Sequence, residues 1–155
     1  KIISIESARE MHRAVFSNGP YDVAICAAAV SDWYIKNISN KKIKKKDLSS
    51  SPQFSLEKNP DILEDLSKGA KRPNLVIGFA AETEELVKNA KEKLRAKGCD
   101  LIVANKINKD STVFGSEHNE VSIITNTDTK HWDKMSKYKI GIKLGDLIEK
   151  HYAYE

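Results

Sequence analysis

Three short apolar runs dominate the hydrophobic pattern of the chain. They lie at Val23–Ala29, Leu75–Phe79 and Leu101–Ala104. Runs this short and continuous are typical of strands that are buried on both faces of a parallel sheet. Because segments with helical periodicity alternate with them, the pattern predicts an α/β sandwich in which these three strands are parallel and adjacent.

The segment after the second run is predicted to form a helix and to complete a βαβ unit. Its apolar side chains recur at helical spacing, at Leu86, Val87, Ala90 and Leu94. Glu82–Glu85 suit the positive end of a helix dipole, and Gly98 is expected to end the helix. Ligands of open α/β sheets bind at the carboxyl ends of strands, which places a candidate site at Phe79–Thr83. A packed crossover without any ligand fits this pattern equally well.

Capping signals predict two further helices, and a periodic segment predicts a third. Ser7 and Glu10 form a capping box at the start of the first of these helices. Asn59-Pro60-Asp61 predicts the second start, with Asn59 as the cap and Pro60 in the first turn. Residues 140–148 predict a final helix, although each interior glycine costs about 1 kcal/mol relative to alanine.

Four shorter segments are predicted to be strands. Lys1–Ile5 and Phe54–Glu57 are each expected to form a short strand. Glu120–Thr125 and Lys130–Met135 flank a polar turn, which predicts an antiparallel hairpin. The polar segment 105–115 is expected to be a loop.

The composition fits one soluble globular domain. The 155 residues, 40% of them hydrophobic and 31% charged, are enough to bury a core. No apolar run approaches the ~20 residues of a membrane span, and no signal peptide is recognisable. Cys26 and Cys99 lie in or beside apolar runs, so we expect two buried thiols in the reducing cytoplasm.

A run of lysines is the strongest charge feature of the sequence. Five of the six residues of Lys41–Lys46 are lysines, in a chain of net charge +4 at pH 7. Such a run is usually a solvated surface, and the sharper hypothesis is an electropositive flap over polyphosphate. Binding of single-stranded nucleic acid is a weaker reading, because stacking aromatic residues normally alternate with the basic ones and none lies within this run. Arginine, the usual reader of bases, occurs at only four positions.

Asp32 is a candidate ligand contact. It follows small alanines at the carboxyl end of the first strand, where space for a ligand is expected, although an aspartate there is more often a turn residue. The histidines show no metal-ligand spacing, and the sequence contains no Gly-x-Gly-x-x-Gly or P-loop motif. The missing glycine motif counts against a nicotinamide- or flavin-binding Rossmann module, which is the alternative function that we consider.

Four stretches carry a family resemblance, and two more continue it. They are Ala27–Trp33, Lys42–Lys45, Lys58–Leu63 and Gly78–Thr83, followed by Asp100–Asn105 and Phe114–Ser116. In order and spacing they resemble the phosphopantothenate–cysteine ligase (phosphopantothenoylcysteine synthetase) family, enzymes of coenzyme A biosynthesis. Any one stretch is weak evidence, but four in sequence are highly specific.

The resemblance implies a fold and a reaction. The implied fold is a Rossmann-like three-layer sandwich with a mainly parallel sheet and a C-terminal antiparallel hairpin, and we expect Glu120–Met135 to help to build a homodimer. The implied reaction uses CTP and Mg²⁺. The carboxylate of 4'-phosphopantothenate attacks the α-phosphate of CTP and releases pyrophosphate, and the amino group of cysteine then takes the acyl group and releases CMP. Such domains often accompany a flavin-dependent decarboxylase, fused or separate, of which this chain shows no trace.

The resemblance also assigns roles to residues. Lys42 would hold phosphate in the transition state, Asp32 would contact the nucleotide or its metal, and Lys93 and Lys97 would reach phosphate or base. The remaining residues would line the nucleotide site: Cys26, Ala27, Ala28, Pro60, Asp61, Ile62, Leu63 and Phe79. The glycine-rich strand–turn–helix with which the family begins is not in the sequence. Residues 1–155 are therefore expected to be one CTP-binding synthetase domain that lacks its N-terminal part.

Overall fold

The computed structural model describes residues 1–37, 53–107 and 116–153. These ranges contain four helices: α1 (Ala8–Ser17), α2 (Ile62–Lys68), α3 (Leu86–Lys97) and α4 (Lys137–Ala153). They also contain seven strands: β1 (Val23–Cys26), β2 (Trp33–Ile35), β3 (Leu56–Lys58), β4 (Leu75–Glu82), β5 (Leu101–Lys106), β6 (His118–Ile124) and β7 (Thr129–Ser136). None of the described helices has the length and apolar character needed to cross a bilayer.

Five strands form one mixed sheet in the order β1-β4-β5-β6-β7. β1, β4 and β5 are parallel, with Val23 opposite Leu75 and Ile77 opposite Leu101. β6 runs antiparallel to both of its neighbours, so four of the five strands point the same way. The predictions of three adjacent parallel strands and a C-terminal hairpin are therefore confirmed. β2 and β3 form a separate antiparallel ribbon.

Each face of the sheet carries its own hydrophobic cluster. On one face, Val76 and Ile102 pack with Leu94 beneath α2 and α3. On the other face, Ile77 packs with Leu144 beneath α4. Since successive side chains of a strand point to opposite faces, the apolar runs supply both clusters. The resulting three layers confirm the expected Rossmann-like sandwich.

Local signals set the ends of the helices, with one correction at α2. Ser7 Oγ accepts a hydrogen bond from the N–H of Glu10 at 3.2 Å, as the capping box predicts. The prediction that Asn59 caps α2 is wrong, because Asp61 is the cap and its Oδ1 accepts from the N–H of Glu64 at 3.0 Å. A carboxylate caps as well as an amide, and it also interacts favourably with the helix dipole. Because Asp61 is the cap, Pro60 lies before the cap and outside the first turn.

Two further boundaries differ from the sequence predictions. β4 continues to Glu82, which pairs with Lys106, so α3 starts later than predicted, with Glu85 as its N-cap. β5 extends into the segment expected to be a loop. The long parallel ladder outweighs the local preference of the acidic residues for a helix start. Lys1–Ile5 is exposed and has no regular structure, so the strand predicted there is wrong. Within the described ranges it has no ladder partner, and a strand needs one to satisfy its backbone groups.

A network that the sequence pattern did not reveal fixes the amino ends of β4 and β5. Arg72 Nη2 donates to Asp100 Oδ1 at 2.7 Å, and Arg72 Nε donates to the carbonyl of Ser67 at 2.9 Å. Asp100 Oδ2 accepts from the N–H of Val76 at 2.7 Å. The network therefore joins the last turn of α2 to the starts of two central strands.

The packing at Gly78 leads to a prediction about stability. A Cβ at this position would lie 2.7 Å from both Ile102 Cδ1 and Leu63 Cδ2. Gly78→Ala is therefore expected to lower the free energy of unfolding by about 1–3 kcal/mol through overpacking, measured as a lower urea midpoint. Gly141→Ala is the matched control, because a Cβ there has no neighbour within 4 Å and should stabilise helix α4 by up to about 1 kcal/mol. Equal midpoints for the two variants would contradict the role of Gly78.

Candidate functional site

A cleft of about 350 Å³ lies beside the carboxyl end of β1. Its walls come from α1, β1, the loop before α2, the start of α2, Phe79 of β4 and one face of α3. This is the position at which open α/β sheets bind ligands, and the volume lies within the range of small-molecule sites.

The cleft brings together ten of the residues that the sequence singled out. They are Cys26, Ala28, Asp32, Pro60, Asp61, Ile62, Leu63, Phe79, Lys93 and Lys97. Ala27 is exposed next to these residues but does not line the cleft. Lys42 and the rest of Lys41–Lys46 lie outside the described residues, so the structure gives them no position.

Asp61 and Lys97 form an ion pair at the cleft. Lys97 Nζ donates to Asp61 Oδ2 and lies 3.4 Å from Glu64 Oε2. Burial acts to raise the pKa of Asp61, but the hydrogen bonds from Lys97 and from the N–H of Glu64 outweigh it and lower that pKa. The pKa of Lys97 is raised, first of all by its hydrogen bond to Asp61. Both side chains are therefore charged at neutral pH. An anion that enters the cleft would compete with the Asp61 carboxylate for the ammonium group of Lys97.

Lys93 lies one helical turn before Lys97 on α3. Its Nζ donates to the carbonyl of Phe79 at 3.0 Å, which ties α3 to β4 at the floor of the cleft. A lysine ammonium has three donors, so this bond leaves two of them for a ligand. Ile62 and Leu63 of α2 supply apolar surface to the same cleft. Phe79 also lines it, although this residue packs against the cluster beneath α4.

The turn that carries Asp32 is held by Asn59. The N–H of Asn59 donates to the carbonyl of Asp32 at 2.9 Å, and Nδ2 donates to the carbonyl of Ser31 at the same distance. Of the described residues, Asp32 and Asp61 bring carboxylates to the lining of the cleft. The described residues contain no cluster of three or more metal-binding side chains. Mg²⁺ that arrives with a nucleotide needs only one or two carboxylates besides the phosphates, so this donor set fits it.

The opposite wall of the cleft is apolar, and the sequence analysis missed it. Met11, Val15, Tyr21 and Leu66 line this part. The spacing of Met11 and Val15 signals one helix face, but the same spacing describes an ordinary core contact. Cys26 also lines the cleft, and burial, followed by the nearby charge of Asp61, raises the pKa of its thiol. A raised pKa disfavours the thiolate, which is the nucleophilic form of cysteine.

The β2–β3 ribbon contacts helix α1, which supplies part of this wall. The hydroxyl of Tyr34 donates to Glu57, which also pairs with Lys36. The guanidinium of Arg9 stacks 3.6 Å from the centroid of the Tyr34 ring, in a cation–π contact between α1 and the ribbon. His12 Nε2 lies 3.0 Å from Asp65 Oδ2, which joins α1 to α2. These contacts attach α1 to the ribbon and to α2.

Comparison with known proteins gives one consistent result. The chain is 38% identical over 149 residues to the coenzyme A biosynthesis bifunctional protein CoaBC of Borreliella burgdorferi, covering 95% of this chain and 37% of that protein. It is 37% identical over 156 residues to CoaBC of Thermococcus kodakarensis, covering 96% of this chain and 36% of that protein. A cysteine/cysteine sulfinic acid decarboxylase from an unknown prokaryotic organism is 36% identical over 150 residues, covering 96% of this chain and 41% of that protein. The chain spans about two fifths of the length of these relatives or somewhat less.

Solved structures and a family model agree with these relatives. The crystal structure of the C-terminal domain of CoaBC matches with a TM-score of 0.74 and 28% identity, over 99% of this chain and 66% of that one. The DNA/pantothenate metabolism flavoprotein from Streptococcus pneumoniae shares the fold, with a TM-score of 0.72 and 21% identity, over 98% of this chain and 71% of that one. The family model for the DNA/pantothenate metabolism flavoprotein C-terminal domain matches residues 1–152. The family resemblance seen in the sequence is thereby confirmed, and the chain belongs to this family.

Proposed function

We propose that this chain is the synthetase part of a ligase in coenzyme A biosynthesis, which joins 4'-phosphopantothenate to cysteine and uses CTP with Mg²⁺. The observation that carries the proposal is the cleft beside β1, in which two lysines, two carboxylates and an apolar floor converge. Ten residues that the ligase resemblance assigns to nucleotide binding line this single cleft. The family match and the CoaBC relatives support the same activity.

The arrangement suits the activation of a carboxylate by a nucleotide. The carboxylate oxygen of phosphopantothenate forms a bond to the α-phosphorus of CTP while the bond to pyrophosphate breaks. The cysteine nitrogen then forms a bond to the acyl carbon, loses a proton, and CMP leaves. Both steps depend on positioning and on the neutralisation of phosphate charge, which Lys93 and Lys97 supply from one face of α3. When bound, Mg²⁺ would supply further charge neutralisation, and Asp32 is the residue that we propose to hold it or the nucleotide.

Calorimetric titration with CTP and Mg²⁺ tests the proposed nucleotide. We expect CTP to bind at least about tenfold more tightly than ATP, a difference equal to about one hydrogen bond to the base. Lys93→Met should weaken CTP binding by about tenfold, because it removes a cation that lines the cleft. Lys91→Met is the matched control on the same helix, since Lys91 does not line the cleft. Binding of NADH without binding of CTP would instead indicate the nicotinamide module.

Lys42 is the proposed catalytic cation, and its role rests on the ligase resemblance. Lys42→Gln should lower turnover about 10²–10³-fold, because a cation that meets developing negative charge stabilises the transition state selectively. The apparent affinity for CTP should change far less. Turnover would be measured in a form that also carries the glycine-rich strand–turn–helix with which the resembled family begins. Lys41→Gln is the control, and equal small losses for the two variants would show that the lysine run is only a charged surface.

We further propose a homodimer built through the β6–β7 hairpin. Among the described strands, β7 is the last of the sheet, and its eight residues pair only with β6. Trp132 of β7 packs towards α4, with Lys143 Nζ 4.4 Å from the centroid of its ring, so the inner face of the hairpin is already covered. Sedimentation velocity over a range of concentrations should give the mass of a dimer. A monomer at high concentration, also in a form with the N-terminal part, would contradict the proposal.

A further inference from the structure

Asn59 uses its polar groups in an unexpected way. Asp61 caps α2, so the amide of Asn59 is available for other partners. Its N–H donates to the carbonyl of Asp32 and its Nδ2 donates to the carbonyl of Ser31, each at 2.9 Å. One residue therefore binds two consecutive carbonyl groups of the turn that carries Asp32.

These two bonds continue the β2–β3 ribbon into the cleft. Trp33 and Lys58 are the last paired residues of the ribbon, and Asp32 and Asn59 are the next residues on each strand. Beyond this point, residues 27–32 have no regular structure, whereas Asp61 begins a helix. The contacts of Asn59 thus connect an irregular segment to the residues that lead into α2, one residue past the ribbon.

We propose that Asn59 is a positioning residue that holds the Asp32 carboxylate in place relative to the start of α2. Asn59, Asp32 and Asp61 all line the cleft, so the tether joins the backbone that carries Asp32 to the segment that carries Asp61. The inference rests on the proposed function, in which Asp32 contacts the nucleotide or its metal. Asn59 itself acts through Asp32 and needs no contact with the reacting atoms.

Asn59→Asp is the sharpest variant, because it changes the donor and keeps the shape. A carboxylate has no donor at neutral pH, so it cannot bind the carbonyl of Ser31 and places a negative charge against that oxygen. Asn89→Asp is the matched control. Asn89 Nδ2 also donates to a backbone carbonyl, that of Glu84 at 3.0 Å, and Asn89 does not line the cleft.

The first measurement needs no ligand. Hydrogen exchange of the peptide that covers residues 27–34 should become faster in Asn59→Asp and stay unchanged in Asn89→Asp. Thermal unfolding of the two variants shows whether a global loss of stability explains the difference. Unchanged exchange in Asn59→Asp would overturn the tether, whether or not the proposed function is correct.

The second measurement asks whether Asn59 acts through Asp32. Asn59→Asp should weaken binding of CTP with Mg²⁺ by about tenfold, the cost of about one hydrogen bond, and Asn89→Asp should leave it unchanged. In a double-mutant cycle, Asn59→Asp should have no further effect on a protein that already carries Asp32→Asn. The positioning role would be overturned if the losses of CTP affinity caused by Asn59→Asp and Asp32→Asn multiplied in the double variant. An unchanged CTP affinity in Asn59→Asp would overturn it as well. If the unmodified protein did not bind CTP, the proposed function would be refuted. The hydrogen-exchange measurement would then still show whether Asn59 holds the turn that carries Asp32.

Discussion

The register of the three parallel strands is the constraint on which the rest of the structure depends. Cys26, Gly78 and Ile102 stand in one row across β1, β4 and β5. β1 ends at this row while β4 continues past it, so the sheet has a step at the carboxyl end of β1 and the cleft lies beside that step. The small Gly78 lets Leu63 pack closely onto the row, which brings the start of α2, and with it Asp61, to the cleft.

The fold could be predicted wherever burial dictates the sequence. Strands covered on both faces must be apolar throughout, so β1, β4 and β5 are visible as continuous runs. Gly98 was predictable as the end of α3 because its φ of +72° is strained for other residues. Predictions failed where local preference competed with pairing. Glu82 lies in a ladder, whereas Lys1–Ile5 finds no partner strand in the part of the chain that the structure describes. Whether a segment finds a partner strand is a property of the whole fold.

The site could be predicted only in part. The family resemblance selected residues that the fold assembles from four separate segments, but it does not reveal their mutual contacts. The pairs Lys97–Asp61 and Arg72–Asp100 join residues 36 and 28 positions apart, and no spacing rule reaches that far. Asn59 illustrates the same limit, because its local pattern fits a helix cap equally well. Which of two neighbouring side chains caps a helix depends on what else lies within reach.

The position of Cys26 has a practical consequence. The chain contains two cysteines, of which Cys99 is buried and Cys26 is half-buried on the wall of the cleft. The thiolate is the form that alkylating reagents attack, and the raised pKa of Cys26 makes this attack slow at neutral pH and faster in alkaline solution. A molecule seated in the cleft would shield the sulfur. The protein thus carries a natural chemical reporter of whether its cleft is filled, without any introduced label.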